Sequence, residues 1–256
     1  MDRDYFTADL HLGHLNILKH AARTEFMTDE DRAAFERAQT DAKAPQRWRP
    51  SQRSLDRMDA RLIERINSIV PAEATLWVIG DFVMTRESRV VAKYRSQINC
   101  ADVRIVWGNH DSRNATRPHV NGAYDVTTLH IAPQRTYTSG ELDGDRELRR
   151  QYREESDGRS IQSVFLSHYA HAVWNKSHHG VYHLYGHSHG NLESWRQEHM
   201  PNALAMDIGV DRWGYRPVGW SQIDQILGEK RDTHPPHVID HHGPRRCSEP
   251  CTEGAA

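Results

Sequence analysis

The sequence predicts an α/β fold. Short apolar runs rich in β-branched and aromatic residues recur along the 256-residue chain, as they do where strands are buried. Amphipathic stretches of helical period alternate with them, which is the grammar of α/β proteins. Five of the runs are each followed by a short polar fragment. Tyr5-Phe6 precedes Asp9-Leu10-His11, and Leu76 to Ile79 precedes Gly80-Asp81. Val103 to Trp107 precedes Gly108-Asn109-His110-Asp111, Val164 to Leu166 precedes Ser167-His168, and Val181 to Tyr185 precedes Gly186-His187-Ser188-His189. In open α/β sheets, ligands gather outside the carboxyl ends of the strands.

The elements follow in order. The first strand ends near Ala8, and a loop containing Gly13 comes next. Asn16 is placed to cap a short helix through Ile17, Leu18 and Ala21. Residues 28–44 predict a polar surface helix, capped by Thr28, with Asp29, Glu30 and Asp31 suited to its positive end. Pro45 and Pro50 bracket a connector. A stronger helix runs from about Ser54 to Val70, where Leu55, Met58, Leu62, Ile66 and Ile69 form one buried stripe. Strand 75–79, a helix near 86–96 and strand 103–107 then alternate. Strands at 123–129 and 131–138 are expected with a tight connection between them. Residues 139–160 are charged and contain glycine, so they predict a flexible insertion. Strands resume at 161–167, 181–186 and 203–209, and Ser221 is placed to cap a last short helix through Leu227. From Glu229 the composition turns to His, Pro, Arg and Gly. One domain over 1–228 and a disordered tail over 229–256 are therefore expected.

Composition narrows the classes. The formal charge of -2 gives no global pull toward nucleic acid or an anionic membrane. The mean hydropathy is low, with much of the polarity in residues 28–44, the insertion and the tail. Cys100, Cys247 and Cys251 imply no disulfide framework. Met1-Asp2-Arg3-Asp4 has no signal-peptide pattern, and no run approaches the roughly 20 apolar residues that cross a bilayer. A cytoplasmic protein with no membrane partner is the expectation; the sequence leaves the oligomeric state open.

The 18 histidines are many for this length, and they cluster. Asp9 with His11, and His187 with His189, stand two apart. In an extended segment such residues point to one side, so each pair could grip one ion. Asp81 ends an apolar strand after Gly80, where its two oxygens could bridge two ions. Asn109 offers a neutral, hard amide oxygen, and His168 ends the fourth strand. The set mixes oxygen and nitrogen donors without thiolate, which suits Mn, Fe or Zn. Seven candidates exceed one tetrahedral site and match two divalent ions that share Asp81. Such a pair clamps the phosphate in phosphoryl hydrolysis.

The ordered set Asp-x-His, Gly-Asp, Gly-Asn-His-Asp, His and Gly-His-x-His, over residues 9–189, resembles that of the calcineurin-like metallophosphoesterases. The resemblance implies a two-sheet β-sandwich flanked by helices. It implies a dinuclear-metal phosphoesterase that hydrolyses a phosphomonoester or phosphodiester through a hydroxide bridging the ions. Asp9, His11, Asp81 and His189 would hold one ion; Asp81, Asn109, His168 and His187 would hold the other. His110 would face the phosphate and assist the leaving group, with Asp111 orienting it. A narrower likeness runs through Asp9 to Ile17, Ser167 to Tyr169 and Leu184 to Asn191. It is to a small group of bacterial and phage phosphoesterases, and it favours His14 as a contact to the substrate phosphate. Ala170 stands where that group usually has proline, and no ligand is lost by it.

Arg113 and Arg117 are further candidates for a phosphate clamp, and Trp174 for packing at the pocket wall. The expected substrate is a phosphoester small molecule or a nucleotide. A nuclease is the first alternative and would need a basic track; the Arg-rich stretches 43–57 and 146–153 read better as solvated faces. A non-catalytic metal-binding scaffold is the second, disfavoured because every expected ligand is retained.

Overall fold

The computed structural model describes residues 1–40, 48–156 and 161–233. The chain begins with β1 (Asp4–Thr7), α1 (Ile17–His20), α2 (Asp29–Thr40) and α3 (Gln52–Ile69). Next come β2 (Thr75–Ile79), α4 (Ser88–Arg95), β3 (Asp102–Val106), α5 (Arg113–Thr116) and β4 (Gly122–Tyr124). The second half holds β5 (Thr127–Ile131), β6 (Thr136–Thr138), α6 (Ser139–Gly144), α7 (Arg146–Ser156), β7 (Gln162–Leu166) and β8 (Tyr182–Tyr185). It ends with α8 (Glu193–His199), β9 (Ala205–Asp207), β10 (Val218–Gly219) and α9 (Trp220–Thr233).

The strands form two five-stranded sheets, ordered β10-β1-β2-β3-β4 and β6-β5-β7-β8-β9. In the first, β1 to β4 are parallel and β10 runs against β1. In the second, β7, β8 and β9 are parallel, and β5 runs against both β6 and β7. A parallel bridge between Ala8 and Gly209 joins the ends of β1 and β9. It aligns the carboxyl ends of both parallel sets at one rim.

The period of two in a strand sorts side chains to opposite faces. Tyr5, Leu76, Val78, Val103 and Ile105 pack outward in one cluster with Leu55, Met58, Leu62 and Ile66 of α3. Phe6, Trp77, Ile79 and Val106 face inward and meet Leu129, Val164, Leu166, Leu184 and Met206 of the second sheet. The α3 stripe thus behaves as its spacing predicts. Ser51 caps that helix by accepting the Ser54 N–H at 3.3 Å, so it starts at Gln52, two residues earlier than expected. Thr28 caps α2 through the Asp31 N–H at 3.2 Å. Asn16 precedes α1 without a capping side-chain bond.

Four expectations need correction. Residues 123–129 are not one strand: the chain leaves the first sheet after Tyr124 and enters the second at Thr127. Residues 131–138 likewise split, with Ile131 ending β5 and Thr136 opening β6. The expected flexible insertion is helical over 139–156. Thr138 and Glu141 form a reciprocal capping box, a signal present in the sequence and outweighed there by charge. Leu142, with Leu148 and Tyr152 of α7, then packs on Ala132 and Tyr137. The last helix starts at Trp220 and runs to Thr233. Ser221 does not cap it; its N–H is held by Asp2 at 3.1 Å. So residues 229–233 are helix. Residues 234–256, with Cys247 and Cys251, lie outside the described residues, as do 41–47 of the expected helix and connector and 157–160 of the insertion.

Leu62 is fully buried in the stripe that fixes α3 to the first sheet. Leu62→Ala should lower the unfolding free energy by about 3 kcal/mol, measured by urea denaturation. A loss below about 1 kcal/mol would contradict this packing.

Candidate metal centre

Loops at the carboxyl ends of β1, β2, β3, β7 and β8 carry all seven candidate ligands to the shared rim. Their backbones are unusual. Among the described residues, eight that are not glycine have positive φ, and five of these are candidate ligands. They are Asp9 (57°), His11 (51°), Asp81 (57°), His187 (68°) and His189 (48°). Left-handed backbone is costly for such residues and tends to concentrate at functional sites. The expected extended geometry for Asp9-x-His11 and His187-x-His189 is thereby corrected. Left-handed turns, not a strand's pleat, aim these pairs.

Two glycines make room. A Cβ on Gly80 would lie 2.1 Å from His168 Nδ1, and one on Gly186 would lie 2.7 Å from Asp9 Oδ2. Neither position tolerates a side chain without moving a candidate ligand.

Donor atoms of Asp9, His11 and His189 lie within 4.8 Å of one another, as do those of Asp9, Asp81 and His168. Asp81 Oδ2 sits 3.4 Å from His11 Nε2 and 3.5 Å from His168 Nε2. Its Oδ1 accepts the His110 N–H at 2.9 Å. His168 Nε2 is also 3.0 Å from Asn109 Oδ1, while its Nδ1 is 2.9 Å from the Ile79 carbonyl. If Nδ1 donates to that carbonyl, Nε2 is an acceptor facing two acceptor oxygens. A proton or a cation must stand among them. His11 Nε2 is buried and has no hydrogen-bond partner. That orphaned nitrogen and the converging oxygens fit a bound divalent ion. The His187 N–H donates to both Asp9 oxygens at 2.9 and 3.0 Å, and its ring lies 5.1 Å from that of His168.

Burial dominates the electrostatics. It pushes the Asp9 carboxyl up to about 7, against the pull of His189 and His168. Burial would raise Asp81 too, but the His168 bond and charge, the His110 N–H and His11 outweigh it and hold Asp81 down at about 2. Burial pushes His11 down to about 3, and burial with the neighbouring His110 pushes His14 down to about 4. Burial opposes the charged forms of His168 and His189, yet both are shifted up. Asp81 does this to His168 and Asp211 to His189.

His110 is exposed at the rim, its ring 5.3 Å from that of His11. Asp111 does not orient the His110 ring as expected. Its carboxylate accepts the N–H groups of Asp81 (2.9 Å), Phe82 (2.9 Å) and Gly108 (2.8 Å), and so ties the second loop to the third. His14 lies in the site, with Nδ1 3.3 Å from His11 Nδ1. It is thus placed to orient His11. Arg113 is engaged by Asp125, Arg117 is exposed, and Trp174 is buried with its indole N–H on the Val181 carbonyl.

The sequence reading missed four supporting residues. Buried Asp207 holds the His187–His189 loop through Ser188 Oγ (2.6 Å) and the Gly190 N–H (3.1 Å). Asp211 accepts from His189 Nδ1 at 2.7 Å, and Arg23 is fully buried beside it. Asp59 accepts the Gly13 N–H at 3.2 Å and the Tyr94 hydroxyl at 2.6 Å. Asp207 had a signal, since it follows the apolar run Leu204-Ala205-Met206 much as Asp81 follows its own. Arg23 and Asp59 had none.

No protein-family model matches the chain, and no curated protein does. A solved structure is similar in fold: the protein of unknown function AQ665 from Aquifex aeolicus, at 15% identity and a TM-score of 0.53. The match covers 87% of this chain and 98% of that one. It supports a mixed α/β architecture of two sheets with flanking helices. No helix among the described residues is long and apolar enough to cross a membrane.

The shifts set the sign of a pH effect. Asp9, His168 and His189 are all raised, so the metal-free fold favours their protonated forms. That contribution is complete at low pH and is lost as pH rises through about 7, the value for Asp9. An ion needs the deprotonated forms. The rise in Tm on adding Mn²⁺ should therefore grow between pH of about 6 and about 8, as read by calorimetry. A flat or falling increment would contradict the arrangement.

Proposed function

We propose that this chain is a metal-dependent phosphoester hydrolase with the calcineurin-like sandwich and two divalent ions, Mn, Fe or Zn. One observation carries the reading. Donor atoms of Asp9, His11, Asp81, His168 and His189 gather in two clusters that share Asp9, and the buried His11 Nε2 has no hydrogen-bond partner. Asp9, His11, Asp81 and His189 would hold one ion, and Asp81, Asn109, His168 and His187 the other. When bound, the ions neutralise phosphate charge and activate water for in-line attack.

The chain's own groups do the rest. Asp81 keeps its charge despite burial and spans both halves of the site. Exposed Asn109 and His110 border the open side, where a phosphoester would enter. His110, held through its backbone by Asp81, supplies a proton to the departing oxygen. His14 lies across from it, with the two rings 6.0 Å apart. The nuclease alternative has less support, because Arg150 on the Arg-rich helix α7 is paired with Glu147 and Glu154.

Mn²⁺-loaded protein should hydrolyse p-nitrophenyl phosphate or its bis-ester, and a fully loaded protein inert on both would refute the proposal. Asp81→Asn should cost more than about a hundredfold in turnover, beyond the loss of an outer partner. His110→Ala should cost about a hundredfold with an alkoxide leaving group. The loss should be much smaller with p-nitrophenolate, which departs without a proton. Equal losses on the two substrates would remove His110 from that role.

A further inference from the structure

Arg23 is a fully buried cation whose donors reach the first of the five loops and Asp211, which lies beyond β9. Nη2 donates to the Asp9 carbonyl at 2.6 Å, and Nη1 to the Leu10 carbonyl at 3.0 Å. Nε and Nη2 also reach the two Asp211 oxygens at 2.8 and 2.9 Å. Such a planar fork is suited to bidentate pairing. Asp211 Oδ2 in turn accepts from His189 Nδ1 at 2.7 Å. That bond puts the proton on Nδ1 and leaves Nε2 as the ligand atom. A closed chain therefore runs from the Asp9 backbone through Arg23 and Asp211 to the His189 ring. It joins the first ligand loop to the last.

The other half of the site lacks this backing. His168 Nδ1 meets only the neutral Ile79 carbonyl, and Asn109 and His187 are exposed. The buried carboxylate–arginine pair touches Asp9, which belongs to both donor clusters, and His189, which belongs only to the one with His11. It touches none of Asn109, His168 or His187.

We propose that Arg23 and Asp211 are positioning residues for one of the two ion positions only, that of Asp9, His11 and His189. They act by locking the left-handed Asp9–His11 turn and the His189 tautomer as one unit. The inference rests on the two-ion reading above and adds an asymmetry that the ligand list does not contain.

Titration of the chelator-stripped full chain with Mn²⁺, followed by calorimetry and by the resonance signal of free Mn²⁺, tests it. Wild type should take up two ions. Asp211→Asn, nearly isosteric, should weaken one step by about 10- to 100-fold and leave the other within about twofold. In a His187→Ala background the surviving ion occupies the Arg23-backed position, and Asp211→Asn should weaken it fully. In a His189→Ala background Asp211→Asn should have no further effect. Arg23→Lys keeps the charge but cannot span both carbonyls and the carboxylate, so it should reproduce the selective loss and decides the matter if Asp211→Asn does not fold. Equal weakening of both steps, no weakening, or an effect that persists without His189 would overturn the inference alone. A folded wild type that binds no Mn²⁺ would overturn the two-ion reading, and this inference with it.

Discussion

The rest of the site depends on the surroundings of one buried carboxylate. Asp81 accepts the His110 N–H on one oxygen and turns the other toward His11 and His168. Its backbone N–H is held by Asp111, and its carbonyl accepts the His11 N–H at 2.8 Å. Four of the five ligand loops thus meet at this residue. Asp9 brings in the fifth by accepting the His187 N–H. Its left-handed backbone turns Asp81 out of the strand and into the cluster. The cost of that conformation is offset only because so many partners are arranged around it.

The two buried aspartates show how burial and pairing compete. Both are almost fully shielded from solvent, so desolvation opposes charge on each. At Asp81 the surrounding donors win, and at Asp9 burial wins. A bound cation would relieve Asp9 and also give His11 Nε2 its missing partner. The chemistry proposed for the site and its electrostatic strain therefore point to the same occupant. Folding alone gives no reason to bury two carboxylates among these imidazoles.

Much of this was legible in the sequence. Strand ends marked by Gly-Asp, Gly-Asn-His-Asp and Gly-His-x-His located the loops that converge at the rim, because strand termini leave local patterns. Leu55, Met58, Leu62 and Ile66 gave α3 through their period, for the same reason. What was not legible is non-local. Arg23 and Asp211 stand 188 positions apart and are joined only by the folded chain. The division of 123–129 between two sheets reflects tertiary placement, since its composition suits a single strand. The helices over 139–156 were hidden by their charge, although the Thr138–Glu141 box was there to be read. The resemblance implied that Asp111 orients His110, whereas its carboxylate is spent on the backbone N–H groups of Asp81, Phe82 and Gly108. A residue's neighbour in sequence is often not its partner.

The seam between the sheets explains why the ligand loops can be strained and still ordered. Phe6, Trp77, Ile79 and Val106 stand immediately before three of the loops and are nearly or wholly buried against the second sheet. Leu166 and Leu184 stand before the other two and face them. The Ala8–Gly209 bridge then fixes the two sets of strand ends in register. Burial of these side chains contributes roughly 1.5–3 kcal/mol each, enough to offset left-handed turns of order 1–3 kcal/mol apiece. The layer that holds the sandwich together therefore also holds the donors in place. Mutations in this layer should displace the converging side chains without touching any of them, because the same contacts set both.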